Sequence, residues 1–218
     1  FILATNLSEI LLTFASVAAG FGESMSPLQL LWINLVSDIF PELALALQPS
    51  EDDVLLRPPR ETGAKMFSRE ELRHLAIEGG VLTLGALAAY GYGIKRYGLS
   101  PHARGLTFIT LTATQLLHAF STRSERHHIF DSHESPPNPY IPLSVGGGIA
   151  LTLLIQLVPA TRRLFGSRPL PAFDWLIAAI AAAAPLVANE ITKALRYAPP
   201  RSATGSVAPA PTPLLLGS

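Results

Sequence analysis

The chain has 218 residues, of which 49% are hydrophobic and only 15% charged, and its 16 basic and 16 acidic side chains give a formal net charge of zero. Soluble domains carry about 25% charged residues, so the composition points to a membrane protein, and the neutral balance leaves no electrostatic footprint for nucleic acid. With no cysteine, a disulfide framework and a thiolate metal centre are both excluded.

The apolar residues fall in blocks of about 18–24, the length that crosses about 30 Å of hydrocarbon at about 1.5 Å per residue. The chain is therefore predicted to be all-α, a polytopic transmembrane bundle of six helices, with the lipid bilayer as its solvent. Phe1 is not an initiator Met and lies inside an apolar stretch, with no basic region before it. It does not resemble a signal peptide; a fragment of a longer protein is the expected account, and a processed or misassigned start is the alternative.

The first span covers 1–19 and carries Asn6 and Glu9, at i and i+3 on one face. A turn with Gly20, Gly22 and Pro27 leads into the second span, 28–47. Here Asn34, Ser37 and Asp38 are spaced i, i+3, i+4, and all three offer oxygen ligands of the kind a hard cation such as Ca²⁺ takes. Pro41 removes a backbone donor and crowds the carbonyl of Ser37. The second helix is thus expected to be broken near Pro41, loosening over Ser37–Phe40 and freeing carbonyl oxygens. Broken helices of this kind form ion sites in transporters.

A carboxylate at membrane depth costs about 2.5–3.5 kcal/mol or more unless it is paired. If the first two spans form an antiparallel hairpin, Glu9 and Asp38 face a common point and repel unless a cation or proton lies between them. The competing readings are a hydrogen-bonded Asp at a simple proline kink and a Glu that snorkels to water. Glu42, just past the proline, is left without an assigned role.

A polar loop, Gln48–Arg73, follows. The third span, 75–94, bears Gly85, Ala89 and Gly93, a small-residue stripe that lets a neighbouring helix approach closely. The fourth, 105–120, contains Gln115, a third candidate ligand or else an interhelical hydrogen-bond donor. The loop Ser121–Pro139 holds His127, His128 and His133 in no strong ligand pattern. The fifth span, 141–158, includes Gly146-Gly147-Gly148, read as packing because the lysine and the strand-to-helix context of a phosphate loop are missing. The sixth covers 175–194; Gln156 and Glu190, near span ends, are read as structural. Residues 199–218 form a Pro- and Ala-rich tail expected to be disordered. Basic residues concentrate in the loops after spans two and four and in the tail, which puts the Gln48–Arg73 loop in the cytoplasm.

Leu30–Asp38 with Pro41 resembles the sixth transmembrane helix of type II P-type cation-transporting ATPases, most closely the calcium pumps of the endoplasmic-reticulum class and their bacterial relatives. The first span then resembles the fifth helix. Arg57-Pro58-Pro59-Arg60, after Glu51-Asp52-Asp53, matches the cytoplasmic loop after helix six. Leu170–Leu195, with Asp174-Trp175-Leu176, Pro185 and Glu190-Ile191, is similar to helix ten. The resemblance implies that residues 1–198 form a C-terminal membrane domain of helices five to ten, in a bacterial-type plasma membrane. It implies Asn6 and Glu9 as ligands of one cation site, Asn34 of a second, Ser37 of the first and Asp38 of both. Gln115 stands where the endoplasmic-reticulum pumps carry a Glu. That departure leaves Ca²⁺ or Mn²⁺, the ion count and proton countertransport through Glu9 open.

The resemblance further implies that ATP and Mg²⁺ act only through phosphorylation, nucleotide-binding and actuator domains upstream, together with the first four helices. The phosphorylation motif is not in these residues, so no catalytic residue is assigned and the segment alone is expected to have no ATPase activity. The alternative is a stand-alone, non-enzymatic membrane protein, a truncated remnant or a regulator of an intact pump. A secondary exchanger would show an inverted repeat, and none is visible.

Overall fold

The computed structural model describes residues 1–49, 67–123 and 137–196. The Arg57–Arg60 motif, His127, His128, His133 and the tail from 199 lie outside the described residues. All secondary structure among the described residues is helical, as the composition predicts. Helix α1 spans Ile2–Ala18 and α2 spans Pro27–Trp32; a π-helical segment, Ile33–Asp38, leads into α3, Ile39–Ala46. Then come α4 (Arg69–Tyr97), α5 (Pro101–Ser121), α6 (Tyr140–Leu157), a short α7 (Pro159–Leu164) and α8 (Ala172–Arg196).

A helix lies at each of the six expected stretches, with shifts at the ends. Gly20 and Gly22 take positive φ (77° and 72°) and make the turn between α1 and α2. Ser26 then starts α2 with a capping box: its Oγ accepts from the Gln29 backbone N–H, and its own N–H donates to Gln29 Oε1 at 2.9 Å. A second capping box, Ser68 with Glu71, starts α4 at Arg69. The third helix therefore begins six residues before the expected span, inside the stretch read as loop. Its added first turns are polar and carry Glu70 and Glu71, which suit a helix N-terminus.

Among the described residues, four helical stretches are long and apolar enough to cross a membrane: Pro27–Ala46, Arg69–Tyr97, Tyr140–Leu157 and Ala172–Lys193. Helix α1 is shorter, at 17 residues. Helix α5 is long enough but is not among the apolar four, and its position gives the reason. It packs against α4, α6 and α8, and most of its side chains are buried, Phe108, Leu111, Thr112, Gln115 and Leu116 among them. Shielded from lipid, it tolerates polar side chains. Thr107, Thr110, Thr112 and Thr114 each return their hydroxyl to the carbonyl four residues back, at 2.7–2.9 Å.

The small-residue stripe on α4 lies against two partners. A Cβ on Gly85 would come within 2.7 Å of the Ala181 carbonyl on α8, and one on Gly93 within 2.9 Å of Ala103 Cα on α5. Ala89 between them is fully buried. Of the glycine triplet on α6, only Gly148 makes a close approach, to Leu116 on α5; nothing lies within 4 Å of a Cβ on Gly146 or Gly147. At the opposite end from Ser68, Asp174 in the first turn of α8 is fully buried and accepts from the hydroxyls of Tyr92 (3.0 Å) and Tyr97 (2.6 Å). Arg96 donates to the Tyr92 hydroxyl at 2.8 Å and so closes the clamp between α4 and α8.

Candidate cation site

The break predicted at Pro41 takes the form of a wider helical turn. The π segment Ile33–Asp38 ends at Asp38 (φ −97°, ψ −61°), and α3 then continues through Pro41 to Ala46. The irregularity thus lies one turn earlier than Ser37–Phe40, and the backbone does not open. Pro41 has no N–H to give, so the preceding turn is relaxed to a longer hydrogen-bond span, a device that recurs at functional sites. The wider turn places Ser37 and Asp38 inside the bundle, 0% and 4% exposed.

Glu9 on α1 is buried, and its two oxygens are held by two amides. Asn34 Nδ2 donates to Oε2 at 3.1 Å, and Gln115 Nε2 donates to Oε1 at 3.0 Å. The same Gln115 nitrogen lies 3.4 Å from the Thr5 carbonyl oxygen. Asn34 also donates to the Leu30 carbonyl at 2.9 Å. Three helical elements therefore converge on one carboxylate. Thr5, one turn before Glu9 and fully buried, stands against the Asp38 carboxylate, and the charges of Glu9 and Glu42 both act on Asp38.

The structure thus brings Glu9, Asn34, Gln115, Ser37 and Asp38 into one region. Asn34 lies on the exposed edge of it. Asn6 is half-buried on α1 and makes no hydrogen bond to the group. Thr5 was missed by sequence reasoning, although its i, i+4 relation to Glu9 placed it on the same face. In this region Ser37 Oγ, Asp38 Oδ1 and Gln115 Oε1 are buried without a hydrogen-bond partner, and so, one turn beyond Asp38, is Glu42 Oε1. Buried polar atoms are almost always satisfied, so unsatisfied acceptors gathered beside two buried carboxylates are unusual. Among the described residues no group of three or more His, Cys, Asp or Glu side chains converges.

The other polar residues separate from this region. Glu190 accepts from Ser121 Oγ at 2.9 Å and pairs with Lys193 at 3.1 Å, tying α8 to α5 as a structural group. Gln156 is buried near the end of α6.

Residues 23–195 match the family model described as cation transporting ATPase, C-terminus. The chain belongs to this family. It is 31% identical over 209 residues to calcium-transporting ATPase 1 of Bacillus cereus, a match covering 88% of this chain and 23% of the relative. It is 29% identical to the calcium-transporting ATPase of Bacillus subtilis (81% of this chain, 20% of the relative) and 25% identical to mouse calcium-transporting ATPase type 2C member 2 (88% and 20%). The chain spans less than a quarter of the length of these relatives. Family membership and four apolar helices of spanning length make it an integral membrane protein.

Proposed function

We propose that this chain is the cation-binding and translocation part of an ATP-driven P-type pump, with Ca²⁺ as the transported ion and Mn²⁺ as the chemically nearest alternative. One observation carries the reading. Two carboxylates, Glu9 and Asp38, lie inside the bundle with no ion-pair partner among the described residues, beside the unpartnered oxygens of Ser37 and Gln115. Like charges at such depth are stable only with a cation or a proton between them. The names of the relatives, calcium-transporting in each case, support Ca²⁺.

In this reading Glu9, Asp38 and Ser37 bind the ion directly, and the amides of Asn34 and Gln115 change role with occupancy. Their nitrogens hold the Glu9 carboxylate. When a cation arrives, a half-turn of the Gln115 amide presents Oε1 in place of Nε2. The π turn gives Ser37 and Asp38 the freedom to follow. ATP and Mg²⁺ act through phosphorylation, nucleotide-binding and actuator domains, which with the first four helices come from the rest of the polypeptide. Residues 1–198 are the membrane domain of that pump. The 48–73 segment faces the cytoplasm, and the membrane is of the bacterial plasma-membrane type.

The test is phosphorylation by ATP in the full-length polypeptide, with Ca²⁺ and Mn²⁺ compared. Asp38→Asn is expected to abolish cation-dependent phosphoenzyme formation. Wild-type cation dependence in that variant would remove the assignment.

A further inference from the structure

We propose that Glu42 is a separate station on the ion path: it takes a divalent cation arriving from the side of the 48–68 segment and hands it to Asp38. The inference rests on the reading that Asp38 belongs to a cation site, and goes beyond it by assigning a residue outside that site. Glu42 is four residues after Asp38, one helical turn further along α3, and the two share a face. Its charge acts on Asp38. Leu45, on the same face, packs against the buried cluster of Ala44, Leu116, Ala119, Ile141 and Val145, so this face of α3 is turned into the bundle. Glu42 Oε1 is buried and has no partner.

A like-charged pair one turn apart destabilises a helix, and none of the ion pairs among the described residues relieves this one. Independently of the acidic pair, Ser37 Oγ is unpartnered on a fully buried side chain, next to Asp38 in the chain. A second carboxylate outside the site, on one side of it, raises the local cation concentration there and speeds entry. The end of α3 that bears it is fixed: Asn138 Nδ2 donates to the Ala44 carbonyl at 2.8 Å and to Gln48 Oε1 at 3.0 Å. An all-oxygen path of this kind suits Ca²⁺.

The experiment is rapid-filtration ⁴⁵Ca²⁺ binding to the full-length polypeptide, comparing wild type, Glu42→Gln, Glu42→Asp and Asp38→Asn. Glu42→Gln is expected to slow Ca²⁺ association about tenfold, the lower end of what a charged entrance contributes, with the bound stoichiometry unchanged. Glu42→Asp, which keeps the charge, retains an association rate close to wild type. If Glu42→Gln does not fold, as thermal unfolding in detergent will show, the salt dependence of association in wild type and Glu42→Asp decides. A steep fall with ionic strength supports the entrance role, and a flat profile overturns it. A wild-type association rate in Glu42→Gln overturns it too, and makes Glu42 a side chain reaching the interface. Loss of one bound ion in Glu42→Gln overturns it in favour of a direct ligand. Undiminished binding in Asp38→Asn is a separate failure, that of the cation site itself.

Discussion

Gln115 on α5 donates its amide nitrogen to Glu9 on α1 at 3.0 Å, while its amide oxygen, equally buried, has no partner. The side chain is half engaged. Its nitrogen holds the Glu9 carboxylate, and its oxygen makes no hydrogen bond.

Two substitutions separate these roles. Gln115→Leu removes a hydrogen bond to a charged group, a loss of about 1.5–3 kcal/mol, and is expected to lower thermal stability in cation-free detergent solution and to weaken Ca²⁺ binding. Gln115→Glu exchanges the donor for a second charge facing Glu9. It is expected to destabilise the empty form and to tighten Ca²⁺ binding about tenfold, equivalent to about 1.4 kcal/mol, or to add an ion. An equilibrium titration checks this; unchanged affinity and stoichiometry would place Gln115 outside the coordination shell.

Gly85 and Gly91 on α4 form a matched pair. A Cβ on Gly85 meets the Ala181 carbonyl at 2.7 Å and Pro185 Cγ at 3.1 Å, whereas nothing lies within 4 Å of one on Gly91. Gly85→Ala is expected to push α4 from α8 and to destabilise by about 1–3 kcal/mol, the usual cost of overpacking. Gly91→Ala is neutral or stabilising by up to about 1 kcal/mol through helix propensity. Thermal unfolding of the two variants side by side checks the contrast.

The clamp at Asp174 makes a third prediction. Asp174→Ala leaves the Tyr92 and Tyr97 hydroxyls and the Arg96 guanidinium without their common acceptor. A loss of about 2–4 kcal/mol is expected from two charge-assisted hydrogen bonds, each worth about 1.5–3 kcal/mol before the hydroxyls find water. Asp174→Asn keeps an acceptor oxygen and is expected to lose less. Thermal unfolding that ranks Asn below Ala would contradict this account of the clamp.

Much of this was legible in the sequence because the membrane imposes long apolar periods. The turn at Gly20 and Gly22, the close approach of Gly85 and Gly93 to other helices, and the inward placement of Glu9 and Asp38 all follow from residue type and spacing. The rest depended on tertiary context. Helix α5 reads as weakly apolar because its threonines satisfy themselves on their own backbone and its neighbours keep lipid away. The six extra residues at the start of α4 hang on one local device, the Ser68–Glu71 capping box. Pro41 announced an irregular helix, but the proline alone does not tell a wider turn from an open one. Asn6 and Glu9 share a face on paper; only the positions of the π segment and α5 decide that Glu9 finds polar partners and Asn6 finds none.

The central claim is that Glu9 and Asp38 bind one cation between them. The most direct measurement is equilibrium ⁴⁵Ca²⁺ binding to the purified full-length polypeptide, with Glu9→Gln and Asp38→Asn as paired variants and Mn²⁺ as competitor. The account predicts saturable binding in wild type, displaced by Mn²⁺, and loss of at least one bound ion in each variant while the protein stays folded. Wild-type binding in both variants would contradict it.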